Sequence, residues 1–309
     1  MGMAPPLLGR FKNGLLYGFI PGQVCKAEDL AQEAVWRGVA RKLAEWHALV
    51  PISAITEDEH EVDGTEDSHC GAQDAVQSLP TLSLSSRRPV PNVWSVMQNW
   101  INALDVSSAE QRGQQALLQR EMDRSFAELD NKNSLGEQGF VFAHCDLLCA
   151  NVIQLERTGP EAPDEHEVQP VTFIDYEYAT PAPAAFDIAN HFAEFAGYDC
   201  DYSRVPGRQM RRGFVHEYVQ MYEKYSGATL GPDAADTLFA EVDRWRGIPG
   251  LYWGVWSLIQ ARISQIDFDY TQYARDRLSE YFAWRGELDG TRIQEGHEMP
   301  LRERTWASN

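Results

Sequence analysis

The sequence predicts an α+β fold, with short strands gathered around its middle and a body dominated by helices. Three observations carry this. Brief β-branched or aromatic runs end in polar loops at Phe140–Ala143, Val152–Leu155 and Val171–Ile174. Longer stretches repeat apolar residues every three to four positions. The turn chemistry at Asn13-Gly14, between two apolar runs, marks a β-hairpin near the start.

In chain order, Leu7-Leu8-Gly9-Arg10-Phe11 and Leu15–Ile20 form the arms of that hairpin, and Pro21-Gly22 stops the second arm. A lone hairpin is marginal in water, so this one is expected to expose apolar surface or to lean on something else, a homodimer partner included. From Ala27 to Val50 the pattern turns helical on Val35, Val39, Leu43, Trp46 and Val50, and Pro51 closes it. His47 reads as a packed or capping histidine rather than a ligand. Residues 53–92 are acidic and then serine-rich, which predicts a disordered insertion. His60, His69 and Cys70 within it show no metal-binding spacing.

Two further helices are expected over Val93–Leu104 and Ala109–Leu129. An acidic loop, Glu156–Gln169, joins the second and third central strands, and Pro181–Pro183 reads as an extended connection to a helix over Phe186–Phe195. Helices follow near 207–225, 232–246, 249–264 and 270–285, and the polar stretch from Gly286 to Asn309 is expected to be loose.

Composition narrows the function classes. A chain of 309 residues can bury a sizeable core, and a formal charge of −19 lacks the clustered Lys and Arg that neutralise phosphates, which argues against nucleic acid and anionic membranes. Five cysteines with no CxxC, and no signal peptide at the start, point to a reducing, cytoplasmic setting. Cys145 and Cys149 fit no zinc spacing and read as small buried thiols. The most apolar late run, Ile248–Ile259, is too short to cross a bilayer.

The chemistry concentrates at Val141–Ile153, where His144, Asp146 and Asn151 form an H-x-D-x4-N pattern between two apolar runs. A second strand ends in Asp175. Phosphoryl transfer needs such a set: one carboxylate to orient and accept the proton of an attacking hydroxyl, and hard oxygen ligands to hold magnesium against the phosphates. A turn-capping role for Asp146 and Asn151 is the plainer alternative. Tyr178, Glu194, Trp253, Trp256 and Tyr273 lie on segments able to face the same rim. Aromatic faces and an anion suit an ammonium group, although tryptophans three apart on a helix also suit a core, and both readings stand.

His144-Cys145-Asp146-Leu147-Leu148-Cys149-Ala150-Asn151, Ile174-Asp175-Tyr176-Glu177-Tyr178, Phe186 through Gly197, Trp253 through Ala261 and Asp267-Phe268-Asp269-Tyr270 together resemble the choline/ethanolamine kinase family, from about residue 4 to about 284. The Leu147-Leu148-Cys149 and Glu194–Gly197 spellings resemble its ethanolamine branch. The resemblance implies a protein-kinase-like fold, mostly its helical carboxy-terminal lobe (25–285), with 1–24 as interlobe linker and a hairpin remnant of an amino-terminal lobe that is largely absent. It implies Asp146 as catalytic base, Asn151 and Asp175 as Mg²⁺ ligands, Gly18 and Ile20 as backbone contacts to the adenine of ATP, and Tyr178, Glu194, Trp253, Trp256 and Tyr273 around the amino-alcohol. It also implies that Asp187 braces the catalytic loop, and it places Cys145 where the family usually has Asn. The expected activity is ATP-dependent phosphorylation of ethanolamine on the route to phosphatidylethanolamine, with choline kinase and a non-catalytic binding module as alternatives.

Overall fold

The computed structural model describes residues 3–11, 14–53, 90–130, 134–156 and 168–309. Strands β1 (Leu7–Phe11) and β2 (Gly14–Tyr17) form the amino-terminal hairpin, pairing antiparallel with Leu7 opposite Tyr17. Leu7, Leu8, Phe11, Leu15 and Leu16 are each more than half exposed, so the hairpin buries neither face among the described residues. The second arm ends three residues earlier than its apolar pattern suggests, and just past it Gly18 donates its N–H back to Pro6 O (2.9 Å).

Strand β3 (Gln23–Val24) carries the chain into the body. Helix α1 (Glu33–Leu49) turns its Val35–Val39–Leu43–Trp46 stripe inward and ends where Val50, ahead of Pro51, is extended. The predicted acidic insertion falls largely on 54–89, outside the described residues. Helix α2 (Val93–Asn102) starts at a capping box in which Asn92 accepts from Trp94 N and Ser95 N, and α3 (Ala109–Leu129) starts at a second one, Ser108 with Gln111.

The middle of the chain builds two small sheets. Strands β4 (Val141–Ala143) and β7 (Thr180–Ala182) pair antiparallel, while β5 (Val152–Gln154) lies between β3 and β6 (Val171–Phe173). The stretch expected as an extended connection is thus a strand. Its Pro181 sits opposite Phe142 on an edge, where a missing N–H is tolerated. Helix α4 (Ala184–Ala193) follows at once and is buried along its whole length.

Helices α5 (Arg208–Ser226), α6 (Ala234–Trp245), α7 (Ile248–Ile263) and α8 (Tyr270–Asp289) complete the body close to their expected bounds. The pairing of α7 with α8 is unusually close. A Cβ on Gly250 would lie 2.5 Å from Arg277 O, and one on Gly254 would lie 2.7 Å from the Leu278 side chain. Glycine at these two positions lets the helices touch backbone to backbone.

The carboxy-terminal stretch differs from expectation. It is not loose: α8 runs on to Asp289, and α9 (Thr291–Gln294) and α10 (Leu301–Ala307) follow. Arg302, Glu303 and Trp306 are buried. Polar composition concealed this docking because the charged residues pair with one another inside the protein, where hydropathy alone would not put them. Among the described residues no helix is long and apolar enough to cross a membrane.

Candidate active site

The loop after β4 is built around one buried carboxylate. Asp187, in the first turn of α4, accepts from His144 N through Oδ2 and from Cys145 N through Oδ1, both at 2.8 Å. His47 Nε2 donates to the same Oδ2 (2.9 Å), and the other ring nitrogen of His47 pairs with Tyr218 OH (2.7 Å). His47 is therefore a packed histidine that joins α1 and α5 to the loop brace. Burial by itself would raise the Asp187 carboxyl, but the His47 hydrogen bond, the nearby histidines and the His144 amide hold it below the usual range.

Further along α4, Asn190 donates to Cys145 O (2.9 Å) and His191 Nδ1 donates to Leu147 O (2.7 Å). His144 donates Nε2–H to Ile174 O (3.0 Å) while its Nδ1 accepts from Asp146 N (3.3 Å). That pattern requires the neutral ring, which burial also favours by lowering its pKa. Three side chains within about one turn of one helix thus fix the loop carbonyls and amides, and one ring ties the loop to the strand end that carries Asp175.

Asp146 and Asn151 meet on the rim. Asn151 Nδ2 donates to Asp146 O (2.8 Å) and to Asp146 Oδ2 (3.3 Å), which leaves the Asn151 amide oxygen for another partner. Ile174 N donates to Asn151 O (3.1 Å), so Asp175 follows directly on this junction. Both Cys145 and Asp175 adopt a φ of +63°, a left-handed conformation that non-glycine residues rarely hold outside constrained sites. Burial pushes the Asp146 carboxyl from 3.8 up to about 8, helped by Glu194, Asp175 and Glu177, while the Asn151 hydrogen bond pulls the other way. The charges that shift it are all carboxylates. An amide oxygen beside such a cluster is a hard-oxygen donor set short of positive charge, which fits Mg²⁺ better than any softer ion. Among the described residues no three His, Cys, Asp or Glu side chains form a ready-made metal cage; the oxygens that could hold Mg²⁺ are those of Asn151 and Asp175.

The opposite wall is aromatic. Tyr178 lies edge-on to Trp253 (5.4 Å between ring centroids) and to Trp256 (6.2 Å), and Trp256 Nε1 donates to Tyr178 OH (3.1 Å). Trp253 Nε1 donates to Asn190 Oδ1 (2.9 Å), so the residue that holds Cys145 also holds this ring. Tyr273 contacts Phe268 (5.5 Å) and Tyr198 (6.4 Å), and Tyr270 contacts Trp256 (5.7 Å). Trp253 is buried among core rings, while Trp256 is half-buried beside Tyr178.

Glu194, the residue that caps the end of α4, is not an open carboxylate. Its Oε1 lies 3.1 Å from Arg277 Nη2 of α8, and both side chains are buried. Burial raises its pKa and Arg277 opposes the rise. Gly18 and Ile20 lie between β2 and β3, and β3 pairs with β5 immediately after Asn151. With its N–H taken by Pro6, Gly18 offers only its carbonyl to a bound base.

Sequence reasoning missed Arg277 as the partner of Glu194, Asn190 as the bridge between loop and ring, and Tyr198 in the aromatic wall. Asn190 stood inside a quoted motif, whereas Arg277 carried no local signal at all.

A loop held by a helix carboxylate, two metal-competent oxygens beyond it and a helical body behind define a protein-kinase-like phosphotransferase fold. Solved structures of that class align well: an ethanolamine kinase of Plasmodium vivax has a TM-score of 0.68 at 22% identity, covering 92% of this chain and 69% of that one. A choline kinase of Cryptosporidium parvum has a TM-score of 0.58 at 18% identity, covering 98% of this chain and 77% of that one. The family model for choline/ethanolamine kinase matches residues 1–282, and the chain belongs to that family. Ethanolamine kinase 1 of Mus musculus is 32% identical over 95% of this chain and 72% of its own length, and ethanolamine kinase of Drosophila melanogaster is 32% identical over 91% and 48%. Measured on human ethanolamine kinase 1, the match spans 58% of the relative. The chain therefore spans about half to three quarters of the curated relatives it matches.

Proposed function

We propose that this chain works as an ATP-dependent ethanolamine kinase acting in the cytoplasm, with ATP and the amino-alcohol as its small-molecule partners. The observation that carries the reading is the pairing of an elevated carboxyl, Asp146, with an aromatic, anionic wall of Tyr178, Trp253, Trp256, Tyr273 and Glu194. The ammonium end binds against the rings and Glu194, which turns the hydroxyl toward Asp146. Asp146 accepts the hydroxyl proton as the oxygen bonds to the γ-phosphorus and the bond to the departing ADP oxygen breaks. Bound Mg²⁺ would supply charge neutralisation on the phosphates. Asn151 and Asp175 are the side chains that would hold it, and Gly18 and Ile20 present backbone to the adenine.

The family supports the choice of substrate class, and the curated relatives support ethanolamine over choline. The test is phosphoethanolamine formation by the purified chain with MgATP, with kcat/KM compared for ethanolamine and choline. The reading holds if ethanolamine is preferred and Asp146→Ala abolishes turnover. A higher kcat/KM for choline, or ethanolamine binding with no turnover in the unmutated chain, overturns it.

A further inference from the structure

Glu194 opens a chain of six charges that runs through α10 and ends at Arg246. Arg277 Nη2 lies 3.1 Å from Glu194 Oε1, and its Nε lies 3.5 Å from Glu280 Oε1. Glu280 Oε2 lies 3.4 Å from Arg302 Nε, and Arg302 Nη1 lies 2.9 Å from Glu303 Oε1. Glu303 Oε2 closes the series against Arg246, also at 2.9 Å. Three anions alternate with three cations, and all but Arg246 are buried.

Directional bonds do not fix the middle of this chain. Glu194 Oε1, the three guanidinium nitrogens of Arg277, both Glu280 oxygens and Arg302 Nε are buried without an aligned hydrogen bond. Arg277 is therefore shared between Glu194, at 3.1 Å, and Glu280, at 3.5 Å, chiefly through charge. Arg302 is what neutralises Glu280 from the far side. Arg277 opposes, and Glu280 adds to, the upward push that burial exerts on Glu194, as shared charge requires.

The segment that brings Arg302 is firmly docked. Trp306 Nε1 donates to Asp243 Oδ1 (2.8 Å), Arg211 Nη2 donates to Trp306 O (2.7 Å), and the Arg211 guanidinium stacks 3.8 Å over the Trp306 ring. Arg302 also donates to Arg246 O. All of α10 lies beyond residues 1–282, the part the family model matches.

We infer that α10 belongs to the amino-alcohol site, with Arg302 as a positioning residue that, through Glu280 and Arg277, keeps Glu194 ionised and aimed at the substrate ammonium. Arg302 touches no substrate. Removing its charge leaves Glu280 uncompensated, Arg277 shifts to Glu280, and Glu194 is left buried without its cation. A carboxyl in that state takes up a proton and no longer attracts an ammonium.

The inference rests on the reading of Glu194 as the ammonium acceptor, and the experiment separates the two. Steady-state kinetics with varied ethanolamine and varied MgATP, together with calorimetric binding of ethanolamine, are measured for the full chain, Arg302→Gln, Arg302→Lys and the double variant Glu280→Gln/Arg302→Gln. Arg302→Gln raises the ethanolamine KM and Kd about tenfold, with kcat and the ATP KM within about twofold, as expected for lost ground-state binding. Arg302→Lys retains most of the affinity. The double variant removes one charge of each sign, leaves Arg277 to Glu194 and restores the ethanolamine KM. A merely structural role predicts the opposite, with the double variant no better than the single one and the ATP KM and kcat falling together, and that result overturns the inference. Should Arg302→Gln fail to fold, the double variant decides alone: a near-parental KM supports the inference and a raised KM refutes it. A parent chain that neither phosphorylates nor binds ethanolamine overturns the functional reading, and the inference with it.

Discussion

The two walls of the site are held in different ways. The catalytic loop hangs from one helix by directional hydrogen bonds: Asp187, Asn190 and His191 of α4 reach His144, Cys145 and Leu147 at 2.7 to 2.9 Å. The aromatic wall is assembled from α7, α8 and the loops beside them by ring contacts, close helix packing and shared charge. Hydrogen bonds fix atoms to fractions of an ångström, which a proton acceptor needs. Ring and charge contacts tolerate small shifts, which would suit the proposed ammonium pocket. Asn190 is where the two systems meet, since it grips Cys145 O with one end of its amide and Trp253 Nε1 with the other.

Breaking the loop side should cost most. Asp146→Asn is expected to lower kcat about a thousandfold or more, read by a coupled ADP assay. The same variant should melt a few degrees higher at pH 8 without ligands. Asp146 titrates near 8 in the fold and near 3.8 when free, so folding favours its protonated form. Its ionised form therefore costs stability increasingly as pH rises from about 4 to 8. The Tm advantage of the Asn variant should accordingly vanish toward pH 4, and an advantage that grows on acidification would contradict this.

Asp187→Ala strips three donors of their acceptor and should cost about 3–5 kcal/mol in urea unfolding, with activity lost in parallel. The native carboxyl is held below its usual range, so its contribution is present at neutral pH and fades as pH falls through its folded pKa. The stability difference between parent and variant should therefore narrow in acid.

On the other wall the effects should be smaller. Gly250→Ala drives a Cβ to 2.5 Å from Arg277 O, and overpacking there should cost about 1–3 kcal/mol in Tm-derived stability while raising the ethanolamine KM more than the ATP KM. Trp256→Ala removes a half-buried ring face and should raise the ethanolamine KM about 3- to 30-fold with a modest change in kcat, measured by steady-state kinetics. The least effect is expected of Cys145→Asn. Asparagine accepts a φ of +63° more readily than cysteine, and its amide can donate to Thr180 O, which the thiol only grazes at 4.0 Å. A gain below about 1 kcal/mol in the denaturation midpoint is the expected outcome.

Much of the loop side was legible in the sequence. His144, Asp146, Asn151 and Asp175 sit at the ends of short apolar runs, so local spacing pointed to each, whereas the bracing role of Asp187 came from the family resemblance. The other wall was legible only in part. Trp253 and Trp256 announced themselves by spacing, but nothing near Glu194 signals that its counter-ion is Arg277. Arg302 lay in a stretch whose polarity suggested a loose tail.

The sequence by itself determined the α+β class, the helical body and, through long motifs such as Phe186 through Gly197, the family. The class and the helices follow from short-range periodicity and turn residues, which act within a few neighbouring residues, whereas the family rests on the likeness of whole motifs. Only the tertiary structure decided how the carboxylate of Glu194 is balanced, that α10 packs into the body, and that Asn190 ties the loop to the aromatic wall. Charges and amides far apart in the chain meet once α7 and α8 close on Gly250 and Gly254, and long-range pairing of that kind leaves no period in the sequence to read.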